Sequence, residues 1–364
     1  MRVLVVNAGS SSVKLALLDD DDRTLAEGEL AAPRAAVDAT QLRDALDSGL
    51  GDADVVGHRI VHGGERFRDA VLIDAEVERG LRELVELAPL HQPKSLATLD
   101  AVSELLPGVP AVACFDTAFH ATLSPAAYTY ALPVAWRRRW GVRRFGFHGL
   151  SHAWVARRVP GLLGRSRDGM RIVSCHLGAG ASLCAIAGGL SHDTTMGFTP
   201  LEGLVMATRS GSVDPGLLLW LMERTNMPER ELGAALEHDS GLRGLAGTSD
   251  MREVLSRADA GDRAAGLALD VYTHRLRAAI AAMTATLGGL DALVFTGGVG
   301  ERSPEIRARA VAGLRFFGVS IDEQRNANAA GDSDLSASEA GVSTVVIRAR
   351  EDLEIARQAR GAVA

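Results

Sequence analysis

A mixed α/β fold with two related halves is predicted by three observations: short apolar runs alternate with helix-period stretches, one strand–turn–strand pattern occurs twice, and a glycine turn follows a late apolar strand. The first element is the apolar run Arg2 to Val6, which enters the turn Asn7-Ala8-Gly9-Ser10-Ser11-Ser12 and returns through Val13 to Leu18. The alternation of Val13, Leu15 and Leu17 makes the second limb a strand, so this is a hairpin and not a Walker loop, whose G-x-x-x-x-G-K-[ST] spacing is absent. Gly9 lets the backbone approach an anion, Ser12 and its neighbours supply donors, and Lys14 supplies a compact positive charge. Lys14 and Lys94 are the only lysines in an arginine-rich chain, which gives position 14 weight.

Further strand-like runs follow at Val55 to Val61, Val109 to Phe115, Arg171 to His176, Leu183 to Ala187, Leu290 to Thr296 and Ser343 to Ile347. Helical periodicity marks Ala75 to Leu87, Lys94 to Leu105, Pro215 to Thr225, Asp262 to Leu287, Pro304 to Gly313 and Glu351 to Arg360. Pro107-Gly108, Pro160 to Gly164 and the surroundings of Gly331 read as loops. The segment Ile172 to Ser182 repeats the first hairpin, with Gly178 in the place of Gly9, and Thr296-Gly297-Gly298-Val299-Gly300-Glu301 is a third anion-friendly turn between strand and helix. Three such turns point to a nucleotide held in a cleft between two domains.

Composition narrows the classes. The chain has 364 residues, 47% of them hydrophobic, enough for about two cores. With a net charge of −7 and no dense basic block, a nucleic-acid partner is not expected. Arg137 to Arg139 with Arg143-Arg144, flanked by Trp136 and Trp140, read as a solvated face or a subunit contact. Cys114, Cys175 and Cys184 lie in apolar strands without metal or redox spacing and are expected to be buried thiols. The apolar runs are too short to cross a membrane and the phosphate strand starts at once, so a cytoplasmic protein without a membrane partner is expected. Asp19 to Asp22 lack calcium-loop spacing and read as a solvated hairpin tip, and Asn326 to Ser338 as an exposed loop or short helix.

Taken with Gly57-His58-Arg59-Ile60-Val61-His62-Gly63-Gly64-Glu65, Phe115 to His120, Gly146-Phe147-His148-Gly149, Thr199 to Gly203, Thr208 to Gly211 and Ser249 to Arg252, these motifs occur in the order found in acetate kinases. The chain resembles that family over almost its full length. The resemblance implies the two-domain actin, sugar-kinase and Hsp70-like fold, with duplicated ribonuclease H-like domains around an ATP cleft, and a homodimer. It places residues 1–117 and 352–364 in one domain and 118–351 in the nucleotide-binding one.

The implied reaction is transfer of the γ-phosphoryl of ATP to acetate, reversibly giving acetyl phosphate and ADP. Two anions must meet in it, so arginines that grip oxygens and neutralise charge are the natural tools. By resemblance Arg59 holds the substrate carboxylate and Arg209 stabilises the transferring phosphoryl, with His148 and, second to it, His176 as donors. Asp116 is often assigned as a base in this family. Acetate is already ionised at neutral pH, so a magnesium-water role suits Asp116 better, beside Asn7 and Glu351 as metal-side residues for Mg²⁺, with Mn²⁺ as an alternative. Nucleotide contacts carried over are Ser12, Lys14, His176, Leu177, Gly178, Ala179, Gly180, Asp250, Met251, Arg252, Gly298, Val299, Gly300, Glu301 and Arg302. Val61, Leu90, Phe147 and Pro200 form the implied substrate wall.

The chain departs from the family pattern at Ala179, Arg302 and Arg350, each standing where asparagine is usual, and it is shorter than usual. Two added cations make pyrophosphate an alternative donor. Preference for propionate or butyrate is the nearer alternative, and a nucleotide-dependent binding module is the alternative from another class.

Overall fold

The computed structural model describes residues 1–9, 12–31, 38–87 and 92–364. The chain divides into two units. One comprises Met1–Ala121, Phe147–Trp154 and Arg350–Ala364, and the other Thr122–Gly146 and Val155–Ala349.

The first unit is built on β1 (Val3–Ala8), β2 (Ser12–Leu18), β3 (Thr24–Ala31), β4 (Val55–Ile60), β5 (Val71–Leu72) and β6 (Ala111–Phe115), ordered β3-β2-β1-β4-β6-β5. β1, β4 and β6 run parallel, while β2, β3 and β5 are antiparallel to their neighbours. Side chains alternate across this sheet with period two. Leu4, Val6 and Ala8 face Leu42, Leu46 and Val102, whereas Val3 and Val5 face Leu353, Ile355 and Ala359 of the C-terminal helix Glu351–Val363. That helix packs so closely on β4 that a Cβ at Gly57 would lie 2.7 Å from Ile355 Cγ2.

The second unit repeats the plan. Its strands β7 (Arg171–Leu177), β8 (Ala181–Ala187), β9 (Leu190–Thr194), β10 (Ala292–Thr296), β11 (Ser333–Asp334) and β12 (Ser343–Val346) are ordered β9-β8-β7-β10-β12-β11. Strand sense also matches the first sheet position by position, with β7, β10 and β12 parallel and the other three antiparallel. The helix Arg263–Thr286 buries Ala265, Ala268, Leu269, Tyr272, Leu276, Ile280 and Met283 in this unit. The duplicated order is the one expected of ribonuclease H-like domains.

Several elements differ from expectation. β3 alternates Leu, Glu and Gly on a half-exposed edge, so it lacked the apolar run that marks a strand. The stretch around Pro160 is not a loop: the helix Gly149–Leu163 contains it, and since only one turn follows, a single missing amide is tolerated. The Gly297 turn does not merely precede a helix but is itself the helix Gly297–Arg302, followed by Pro304–Val311. Arg144 is not on a solvated face. It donates to the carbonyls of Thr194, Thr195 and Met196 and pairs with Glu202 at 2.7 Å. Asn326, expected on an exposed loop or short helix, lies at the end of the short helix Glu323–Ala327 and is buried. All three cysteines are buried and free, as expected.

Candidate active site

In the first unit, Asn7 on β1, Arg59 on β4 and Asp116 just past β6 stand at the carboxyl ends of three adjacent parallel strands, where open α/β sheets display their chemistry. Arg59 Nε donates to both Asp116 oxygens at 3.1 Å, and its Nη2 donates to Oδ2 at 2.6 Å. Its Nη1 makes longer bonds, 3.2 Å to Asn7 Oδ1 and 3.4 Å to the Ala8 carbonyl. Asn7 Nδ2 in turn donates to Glu351 Oε2 at 3.0 Å. Glu351 opens the C-terminal helix, whose exposed N–H groups favour a negative charge there.

Burial tends to strip charge from this cluster, and pairing restores it. Desolvation pushes the Asp116 carboxyl above its ordinary range and Glu351 adds to that, while Arg59 opposes both. Burial alone would lower the Arg59 guanidinium, yet Asp116 and Glu351 hold it well above its usual value. The fork needs acceptor lone pairs on both Asp116 oxygens, which a neutral carboxyl supplies only in part, so the pair stands ionised. The Asp116 carbonyl accepts from Gly149 N at 2.7 Å, and a Cβ on Gly149 would come within 2.3 Å of it, so only glycine fits. His148, one residue earlier, has the left-handed φ of 57° and is half-buried.

Val61 and Phe147 are buried in this unit, and the Phe147 ring meets His62 edge-on at 5.6 Å. Leu90, Ser10 and Ser11 lie outside the described residues. Gly9 N closes the first turn on the Ser12 carbonyl at 2.9 Å, and Lys14 lies opposite Asn7 in register. The Ser12 hydroxyl donates to Glu29 at 2.6 Å, so its single proton is committed there and not to an anion.

The second turn is also closed from its first glycine, but across one residue fewer: Gly178 N donates to the Gly180 carbonyl at 2.9 Å, where Gly9 N reaches Ser12. Leu177 is fully buried and offers a ligand only its backbone. Ala179 accepts through its carbonyl from Ala207 N at 3.1 Å, which ties this turn to the loop bearing Arg209. Arg209 donates through Nε to Glu237 Oε2 at 2.8 Å and through Nη1 to the Pro200 carbonyl at 3.3 Å. Pro200 therefore braces an arginine within the second unit.

The third turn abuts the second. Gly297 has φ +77° and its Cβ would lie 2.9 Å from the Leu177 carbonyl oxygen, so the position demands glycine. Glu301 folds back, accepting from Gly297 N at 3.1 Å and from Ala349 N at 2.9 Å, which makes it a brace of the turn. Gly298 and Arg302 are exposed and Val299 half so, whereas Gly300 is buried. Beneath them Arg307, 1% exposed, donates to the carbonyls of Gly300 and Glu301 at 2.8 Å and to Asn326 Oδ1 and its carbonyl at 2.7 Å.

Asp250 caps the helix Met251–Asp259, and the exposed Arg252 side chain pairs with it at 2.7 Å. Met251 is buried. Arg350 forks onto Asp352 at 2.7–3.0 Å, so its added charge is neutralised locally. Sequence reasoning passed over the roles of Glu237, Arg307 and Asn326, because a glutamate, an arginine and an asparagine on helices carry no motif.

Two sheets of one order, with glycine turns after their first strands, define the duplicated-domain class of the actin, sugar-kinase and Hsp70-like fold. Within that class the profile of the acetokinase family matches residues 22–357, and the chain belongs to that family. The acetate kinase of Gloeobacter violaceus is 43% identical over 399 residues, covering 98% of each chain, and that of Leifsonia xyli subsp. xyli is 46% identical over 396 residues, covering 100% of this chain and 99% of that one. Among solved structures, Porphyromonas gingivalis acetate kinase superposes with a TM-score of 0.92 at 36% identity, covering 100% of both chains. A propionate kinase from Francisella tularensis subsp. tularensis gives 0.93 at 34%, covering 99% of both. An alignment of 399 residues against a chain of 364 requires gaps on this side, in keeping with a chain shorter than its relatives.

Proposed function

We propose that this chain catalyses reversible transfer of the γ-phosphoryl group of ATP to acetate, giving acetyl phosphate and ADP. The observation that carries the reading is the Asn7–Arg59–Asp116–Glu351 cluster at the strand ends, in a chain of the acetokinase family. A carboxylate oxygen attacks the γ-phosphorus, the new O–P bond forms as the bond to the β-phosphate bridging oxygen breaks, and ADP leaves with that electron pair. The nucleophile is already an anion, so Asp116 need not take a proton from it.

Arg59 receives the acetate carboxylate through its Nη1 edge, where the present bonds are the long ones. Arg209 stabilises the phosphoryl as it transfers, with His148 and His176 as further donors. Val61 and Phe147 bound the methyl group. The three glycine turns and Lys14 receive the nucleotide.

Asn7 Oδ1 and the carboxylates of Asp116 and Glu351 are hard oxygen donors of the kind Mg²⁺ accepts, directly or through water, so the donor set fits that ion. Bound there, Mg²⁺ would supply charge neutralisation on the β- and γ-phosphates. Arg59 already fills the Asp116 fork, which favours contact through water for that carboxylate.

A homodimer is part of the proposal. The helix Pro215–Thr225 has no buried residue, and its Leu217, Leu219 and Trp220 are 45, 68 and 54% exposed, an apolar face suited to a second copy. No helix among the described residues is long and apolar enough to cross a membrane, and a cytoplasmic location is part of the proposal.

A hydroxamate assay with acetate, propionate and butyrate, each with ATP or pyrophosphate, tests the reading. Acyl phosphate is expected from acetate with ATP and lost in Arg209→Ala. Product from pyrophosphate alone would overturn the donor assignment, and no product from folded protein would leave the binding-module reading in its place.

A further inference from the structure

We propose that Glu237 is a positioning residue that sets the direction of the Arg209 guanidinium. The inference rests on the reading of Arg209 as the phosphoryl-stabilising cation and adds what holds it. Glu237 lies in the last turn of the helix Glu229–His238, away from the glycine turns in sequence and outside the motif Thr208-Arg209-Ser210-Gly211.

Three features single it out. First, Glu237 Oε2 accepts from Arg209 Nε at 2.8 Å, with side chains only 13 and 17% exposed. A guanidinium gripped at Nε cannot swing about its last torsions, and the second grip, Nη1 on the Pro200 carbonyl, fixes its plane. Second, the same stretch holds the backbone on both sides of the arginine: Thr208 Oγ1 donates to the Glu237 carbonyl at 2.8 Å and Ser210 N to the Leu236 carbonyl at 3.1 Å. Third, the connection continues past the helix. Ser240 N donates to the Thr208 carbonyl, Leu242 N to that of Met206, and Arg243 N to that of Ala207. Gly241, at φ +62°, allows this contact, since a Cβ there would lie 2.2 Å from the Met206 carbonyl oxygen.

The backbone contacts hold the loop without the Glu237 side chain. What the carboxylate adds is therefore orientation of one guanidinium, in a segment already fixed. Removing one partner of a part-buried ion pair also costs stability, so melting is measured beside the rate and the positioning role is read from kcat of the folded variants. A misplacement of about 1 Å at a group acting on the transition state costs on the order of 100-fold.

The experiment is steady-state kinetics with acetate, ATP and Mg²⁺ on Glu237→Ala, Glu237→Gln, Arg209→Ala and Arg209→Ala/Glu237→Ala, with thermal melting of each. Glu237→Ala is expected to lower kcat about 100-fold, with KM for both substrates within about threefold of the parent. Glu237→Gln keeps an acceptor for Nε and recovers most of that loss. In the Arg209→Ala background the second substitution costs nothing further. Parental kcat in Glu237→Ala overturns the proposal, as does an equal loss in both backgrounds, which would mark a structural effect. Should Glu237→Ala fail to fold, Glu237→Asp takes its place: its carboxylate stops one methylene short of Arg209 Nε and is expected to lower kcat, and a parental kcat in Glu237→Asp overturns the proposal. Failure of the underlying reading looks different: Arg209→Ala would then itself retain parental activity.

Discussion

Arg59 and Asp116 are locked side by side, Nε onto both carboxylate oxygens and Nη2 onto Oδ2 at 2.6 Å, with the Asp116 side chain 2% exposed. Both oxygens of that carboxylate already accept from Arg59, and the nucleophile of the reaction arrives ionised, so no proton need pass to Asp116. The pair also makes a stability prediction. Arg59→Ala leaves a buried carboxylate without its partner and is expected to cost about 3–5 kcal/mol, while removing both groups recovers much of that. Urea unfolding of Arg59→Ala, Asp116→Ala and the double variant measures the coupling. Additive losses would mean the two side chains act independently.

Arg307 gives a second prediction. Its guanidinium is buried among oxygen atoms of Gly300, Glu301 and Asn326, and burial pushes it down to about 10. The carbonyls it binds belong to the glycine turn assigned to the nucleotide. Arg307→Lys keeps the charge but loses the planar fork that reaches four acceptors at once. We expect kcat/KM for ATP to fall between about 10- and 100-fold with KM for acetate unchanged, read from initial rates at varied ATP. A matching rise in the acetate KM would instead mark general disruption.

His58 makes stability depend on pH. It shares a face of β4 with Val56 and Ile60, is 1% exposed, and burial pushes its imidazole down to about 4 from 6.5. Between those values the unfolded chain binds a proton that the folded chain refuses. Stability is therefore full above about pH 6.5 and falls as pH drops toward 4, by about 2 kcal/mol at pH 5 from this one group. His58→Phe should flatten that acid limb. Urea midpoints at pH 7 and pH 5 decide it, and an unchanged gap between them in the variant would remove His58 as the cause.

What the sequence made legible follows from how each feature is encoded. The duplicated hairpins were readable because Gly9 and Gly178 sit between apolar strands, and the family motifs named Arg59, Asp116 and Arg209. β3 was missed because its glutamates and glycine hide the strand alternation on an exposed edge. The partners were illegible for another reason. Glu237 lies 28 residues from Arg209, and Asn326 lies 19 from Arg307. Such pairings exist only once the chain has folded, and neither residue type stands out where it occurs. Arg350 shows the reverse case: an added cation suggested an altered donor site, and Asp352, two residues on, neutralises it.

The substrate wall supplies the last prediction. Val61 follows β4 directly, two residues from Arg59, and is 8% exposed, while Phe147, 2% exposed, meets neighbouring His62 edge-on. Val61 is an apolar body two residues from the cation proposed to hold the carboxylate, and Phe147 packs on the next residue, His62, so on that proposal the acyl chain of a bound acid runs toward them. A single methylene in such a pocket discriminates only about 10- to 200-fold, which predicts acetate preference with slower use of propionate. Val61→Ala removes two methyl groups and should raise kcat/KM for butyrate relative to acetate by about 10-fold or more, with the loss on acetate confined to KM. The hydroxamate assay on the three acids gives the ratio. If it is unchanged, Val61 is core and the wall lies elsewhere.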